Sequence, residues 1–203
     1  MASTPDAFLT AAAALANHGW CVVTDLLTPS QTRALGDECT QFHDGKLLRP
    51  GLIGADRASS LLRGDSTHWF AADAPTAPQR VFGERMETLR VTLNRELMLG
   101  LVDSEAHYAA YPAGAGYARH LDRPRGNDAR VVSAVFYLND AWQAAEGGAL
   151  RLHMADGSQR DIAPQAGTLV LFLSGDFEHE VLPATRTRLS IACWMRQRAR
   201  PAL

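Results

Sequence analysis

From about residue 101 onward the chain is written in short β-prone runs, and nothing else in it constrains the fold as strongly. The runs cover 105–111, 115–121, 130–138, 148–154, 159–163, 168–173, 178–182 and 187–195. Turn-forming clusters separate them: Pro112-Ala113-Gly114, Gly126-Asn127-Asp128, Glu146-Gly147-Gly148, Asp156-Gly157 and Ser174-Gly175-Asp176. Many short strands at regular spacing predict an antiparallel sandwich or barrel.

The first half has a different period. Thr4-Pro5 offers a cap followed by proline at the first helical position, and Phe8, Leu9, Ala12, Leu15 and Ala16 then share one face. Asn17-His18-Gly19 stops that helix, and 20–24 is β-prone. Thr28-Pro29-Ser30-Gln31 has the form of a capping box for a second helix that ends near Gly45. Phe82, Met86, Leu89, Leu93 and Leu97 recur at helical spacing and predict a third helix over about 78–99. Residues 46–76 show no clear period and carry Gly51, Gly54 and Gly64, so they can bend. The expected organisation is one domain over 1–203. Residues 1–100 supply helical support and a mobile cover, and 101–203 form a jelly-roll core.

At 203 residues the chain can build one sizeable core. Its 46% hydrophobic and 21% charged residues are ordinary globular values, which argues against a disordered or fibrous chain. A formal charge of -2 gives no global pull toward nucleic acid or an anionic membrane. Lys46 is the sole lysine among many arginines and alanines, the imprint of a GC-rich bacterial genome. Cys21, Cys39 and Cys193 are odd in number and lack a CxxC, which fits small buried residues in a reducing compartment. No secretory signal and no long apolar span is visible, so a soluble cytoplasmic protein is expected.

His120-Leu121-Asp122 carries the chemistry. Positions two apart on a strand point to one face, so both side chains could reach one metal ion inside a barrel. His179 opens a later strand. Two histidines and one carboxylate form the facial ligand set of non-haem iron(II) oxygenases and leave coordination sites open. Arg188 follows within the apolar run Thr187-Arg188-Leu189-Ser190-Ile191-Ala192-Cys193-Trp194. A buried arginine needs a partner, and a carboxylate ligand would supply one.

The stretch from Tyr111 to Trp194 resembles the 2-oxoglutarate oxygenases of the prolyl 4-hydroxylase type. Within them it looks like the enzymes acting on hypoxia-inducible factor and their bacterial homologues. The resemblance rests on Tyr111-Pro112, on Gly116-Tyr117-Ala118-Arg119-His120-Leu121-Asp122, on Phe136-Tyr137-Leu138-Asn139 and on Gly147-Gly148-Ala149-Leu150-Arg151. His179-Glu180-Val181, Arg188 and Trp194 follow in order, and Arg63-Gly64-Asp65 with Trp69 matches upstream. It implies a double-stranded β-helix, with His120, Asp122 and His179 on Fe(II). It further implies Arg188 and Tyr137 on the distal carboxylate of 2-oxoglutarate, Tyr111 near its chelating end, O2 as co-reactant and ascorbate as reductant. Arg130, Trp194 and Asp65 would border a groove for an exposed prolyl loop of a protein, with a translation elongation factor as one candidate. Ala192 departs from the animal enzymes, which carry a hydroxyl residue there.

On closure of the 46–76 cover, Asp65 is expected to pair with Arg130. His18, His43, His68, His107 and His153 have no partner at ligand spacing and read as ordinary surface or packing residues. Two other readings remain open: an oxygenase acting on a free amino acid or other small molecule, and a cupin-like sensing domain without turnover.

Overall fold

The computed structural model describes residues 4–45, 49–50, 63–123 and 129–198. Three helices come first or nearly so: α1 (Thr4–His18), α2 (Pro29–Asp44) and α3 (Ala77–Leu97). Thr28 caps α2 as its sequence predicts. Its hydroxyl accepts from the Gln31 amide at 3.3 Å, and the Gln31 side chain accepts from the Thr28 amide at 2.9 Å. Thr76 and Gln79 repeat the device at the start of α3, each bond being 3.4 Å. None of the described helices is long and apolar enough to cross a membrane.

The strands are β1 (Trp20–Val23), β2 (Arg49–Pro50), β3 (Ser66–Trp69), β4 (Leu101–Tyr111), β5 (Tyr117–His120) and β6 (Arg130–Tyr137). They continue with β7 (Leu150–His153), β8 (Gln159–Ile162), β9 (Leu169–Leu173), β10 (His179–Val181) and β11 (Arg188–Gln197). The eight runs read from the second half of the sequence are β4 to β11. The largest boundary difference is in β4, which starts at Leu101, four residues before the expected 105.

Two antiparallel sheets result. One has the order β1-β9-β6-β11-β4-β3-β2 and the other β5-β10-β7-β8. From β4 onward the chain passes back and forth between them, so that β9-β6-β11-β4 and β5-β10-β7-β8 are the two halves of a double-stranded β-helix. Side-chain parity divides the core. On β11, Ile191, Cys193 and Met195 join the helices' Phe8, Leu35, Phe82 and Leu89 in one cluster. Arg188, Ser190, Ala192 and Trp194 point the other way and line a cleft. Between the sheets, Tyr111 and Tyr137 pack with Leu150, Leu152 and Val181.

The expected cover spans 46–76. Of it, 46–48 and 51–62 lie outside the described residues, whereas β3 pairs with β4 from Ser66↔Ala110 to Trp69↔His107. Just before β3, Arg63 bridges to Tyr117, and the Gly64 amide donates to the Gly116 carbonyl at 2.9 Å. In this structure Asp65 and Arg130, expected to pair on closure, each have another partner. Arg63 grips Asp65 through two bonds of 2.6 and 2.9 Å, and Arg130 donates instead to Glu105 at 2.8 and 3.0 Å. A nearer opposite charge satisfies each group, and a buried carboxylate holds its nearest cation.

Candidate active site

The sheets bring His120, Asp122 and His179 together. His120 ends β5 and His179 begins β10, and the two are direct cross-strand partners. Asp122 lies beyond β5 in a bend, so the same-face argument from strand geometry does not describe it. The fold aims it by another route. The Ser133 hydroxyl of β6 donates to Asp122 Oδ2 at 2.7 Å, and the Arg123 amide donates to the Ser174 carbonyl at 3.3 Å. One donor atom from each of the three residues lies within 4.8 Å of the others. Asp122 stands 3.6 Å from Nε2 of both His120 and His179.

Both imidazoles are oriented from behind. Nδ1 of His120 is 2.7 Å from the Ala118 carbonyl, and Nδ1 of His179 is 3.1 Å from the Phe177 carbonyl. A carbonyl can only accept, so each Nδ1 carries the hydrogen and each Nε2 offers its lone pair inward. Burial alone would raise the Asp122 pKa. The facing His179 and His120 and the Ser133 hydroxyl outweigh it and hold the carboxyl well below the usual range. Burial lowers the pKa of His179, which favours its neutral, ligating form. Two imidazole nitrogens and one carboxylate at this spacing can hold a divalent ion.

Arg188 is buried at the inner end of the cleft, with 1% of its surface exposed. Its Nε donates to the Gly148 carbonyl at 2.8 Å and its Nη1 to the Ser190 hydroxyl at 3.3 Å. Nη2 has no partner among the described residues, nor has the buried Tyr137 hydroxyl. The guanidinium lies 5.1 Å from the Tyr137 ring and 5.2 Å from the Tyr111 ring. Burial pushes the Tyr137 hydroxyl up to about 12, so it stays protonated and can donate. Two orphaned donors beside one buried positive charge fit a carboxylate ligand. Gly148 makes the approach possible. Its φ is 72°, and a Cβ there would come within 2.9 Å of the Ala184 methyl.

Elsewhere in the cleft, the Arg130 guanidinium carbon lies over the Trp194 ring, 3.8 Å from its centre, and the Trp194 indole nitrogen is buried without a partner among the described residues. The Asp65 side chain is fully buried against Arg63. Eight of the nine residues singled out from the sequence line one cleft; Tyr137 packs behind them. Two contributors were missed. Ser133 supports Asp122 from a neighbouring strand, a relation no local motif encodes. His107, read as ordinary packing, lies in the cleft wall. Its two-residue alternation with Ala109 and Tyr111 on β4 was the available signal.

A family model described as the 2OG-Fe(II) oxygenase superfamily matches residues 106–196. Egl nine homolog 1 of Homo sapiens is 36% identical over 186 residues, which are 87% of this chain and 43% of that relative. The chain thus spans about half the length of the Egl nine relatives it matches. Prolyl hydroxylase EGLN3 of Mus musculus is 30% identical over 192 residues, covering 87% of this chain and 77% of that one. A solved prolyl-4-hydroxylase of Pseudomonas putida matches with a TM-score of 0.86 and 43% identity, over 94% of this chain and 99% of that one. A prolyl hydroxylase solved in complex with a hypoxia inducible factor peptide fragment from Trichoplax adhaerens shares the fold. It has a TM-score of 0.88 at 24% identity, over 96% of this chain and 90% of that one.

Proposed function

This chain belongs to the 2OG-Fe(II) oxygenase superfamily, in its prolyl hydroxylase branch, and we propose on that premise that it hydroxylates a prolyl residue in a protein. His120, Asp122 and His179 would hold Fe(II); Arg188, Tyr137 and Tyr111 would receive 2-oxoglutarate. Bound there, these groups supply the oxidative chemistry: with O2, 2-oxoglutarate goes to succinate and carbon dioxide, and one oxygen atom enters a substrate C–H bond. Ascorbate would serve as accessory reductant.

The chain's own residues supply position and charge. Asp122 stays anionic under the two imidazoles, and the Nδ1 bonds to Ala118 and Phe177 fix which ring nitrogens face inward. Arg188 and Tyr137 offer the orphaned donors to a carboxylate, and that pair of partnerless groups beside the triad is the observation that carries the reading. Arg130, Trp194 and Asp65 would border the peptide groove. The substrate we infer is an exposed prolyl loop of a cytoplasmic protein, a translation elongation factor being one candidate. The prolyl assignment is supported by the names of the relatives.

The test is peptide mass spectrometry on host cytosol incubated with enzyme, Fe(II) and 2-oxoglutarate. A gain of one oxygen on a prolyl residue, with stoichiometric succinate, is expected. Succinate accompanied by oxidation of free amino acids alone would overturn the protein substrate. No succinate under any condition would leave a sensing domain.

A further inference from the structure

We propose that His107 is a positioning residue that latches the segment Arg63–Trp69 along the cleft wall. That segment is a strap between the two sheets. At one end, Arg63 bridges to Tyr117 and the Gly64 amide bonds the Gly116 carbonyl, which ties it to the four-stranded sheet. At the other end, β3 pairs with β4 of the seven-stranded sheet. The backbone fixes the two ends, and the side chains between them form one chain of contacts. The buried Asp65 accepts twice from Arg63, and Arg63 Nη2 lies 3.5 Å from His107 Nε2.

The imidazole suits this duty in each of its groups. Its Nδ1 is 2.9 Å from the Tyr108 carbonyl, so Nδ1 holds the hydrogen and Nε2 is free to accept from Arg63. Burial first, then Arg63, lowers the pKa to about 4, and the ring is neutral near pH 7. The charged groups acting on it are Arg63 and Asp65 from the strap and Arg130 from β6. The ring also meets Trp69 edge-on at 4.7 Å and lies 5.3 Å from Trp194. Any ring of this size could pack between two indoles. Only one with an inward acceptor can hold Arg63, so the polar edge serves the strap. His107 therefore joins both ends of the strap, Arg63 and Trp69, to Trp194 in the cleft wall.

The consequence for substrate rests on the prolyl hydroxylase reading, while the latch itself does not. The experiment follows hydrogen exchange in the full chain loaded with Mn(II) and 2-oxoglutarate, comparing wild type, His107→Phe and His107→Gln. Phe keeps a ring and loses the acceptor, and Gln restores an acceptor. In His107→Phe, exchange across 63–69 should rise about tenfold, the scale of a lost hydrogen bond to a charged group, while β10 stays protected. His107→Gln should recover most of that protection. Prolyl oxidation in cytosolic extract should fall in the Phe variant and return in the Gln variant. Unchanged strap exchange in His107→Phe overturns the latch. Loss of protection throughout the chain without rescue by Gln also overturns it, since His107 would then be plain core. Should the Phe variant fail to fold, Gly64→Ala gives the second reading. Its new Cβ would meet the Ala115 Cβ at 2.9 Å and lift the strap from the opposite side, with the same local rise expected. If wild type oxidises no prolyl residue, the substrate reading fails and the exchange comparison still decides the latch.

Discussion

Asp122 shows how little of a site resides in the named ligands. It is 9% exposed, and its orientation depends on a hydroxyl from another strand. Ser133 also bonds Ser174 at 2.9 Å, so it is held in turn. Ser133→Ala should weaken metal binding about 10- to 100-fold, as losses of such supporting partners do, and a Mn(II) titration measures it. Arg188 is the corresponding case for the cosubstrate. Arg188→Ala should raise the 2-oxoglutarate concentration for half-maximal succinate formation about ten- to a hundredfold, from roughly 1.5–3 kcal/mol of lost charge-assisted bonding. Tyr137→Phe removes a neutral donor from the same place and should cost several-fold less in the same assay. If Arg188→Ala left that dependence unchanged, another group would hold the carboxylate. The ligand residues and Arg188 were legible in the sequence because their types are unusual for their surroundings. Ser133 was not, because a serine inside a strand is common and its meaning lies in what stands opposite.

Among the elements, α2 and α3 show local rules carrying over into tertiary structure. Each has a threonine–glutamine capping box, and the second also ties helices to sheet. Gln79 donates to Glu38 at 2.7 Å, and Glu38 accepts from the Tyr108 hydroxyl at 2.8 Å. Thr76→Ala should lower stability by about 1 kcal/mol, seen as a lower denaturant midpoint with unchanged slope. Its 2-oxoglutarate dependence should stay as in wild type, since α3 packs on the helix side of the larger sheet. The core strands were readable because turn residues punctuate them. β3 was not: Ser66-Thr67-His68-Trp69 has no apolar alternation, and its pairing comes from β4, more than thirty residues later. The bend that carries Asp122 past β5 was equally silent, because the local sequence permits either a continued strand or a turn.

Over the whole molecule, burial of a titratable ring ties stability to pH. His107 has an ordinary pKa of 6.5 and a folded value of about 4. Below pH 6.5 the unfolded chain takes up a proton that the folded chain refuses, so this share of stability is complete above 6.5 and drains away as pH falls toward 4. The loss should reach up to about 3 kcal/mol at the low end. Urea unfolding at several pH values should therefore give wild type a steeper fall between pH 6.5 and 4 than His107→Phe. Parallel curves would mean that the folded ring takes up its proton as readily as the unfolded one.

By itself the sequence determined the alternation of strands and turns, the helix caps, and the residue types able to bind a metal ion and a carboxylate. Those properties are local or nearly so, written in periods of two and 3.6 and in the chemistry of single side chains. Tertiary structure decided which groups meet. It brought His179 opposite His120, placed Ser133 behind Asp122, left Arg188 Nη2 and the Tyr137 hydroxyl without partners, and paired Asp65 with Arg63 instead of Arg130. Such meetings depend on strand order and register. A register is settled by the summed burial of whole faces and by the nearest available charge, quantities that no short window of sequence contains.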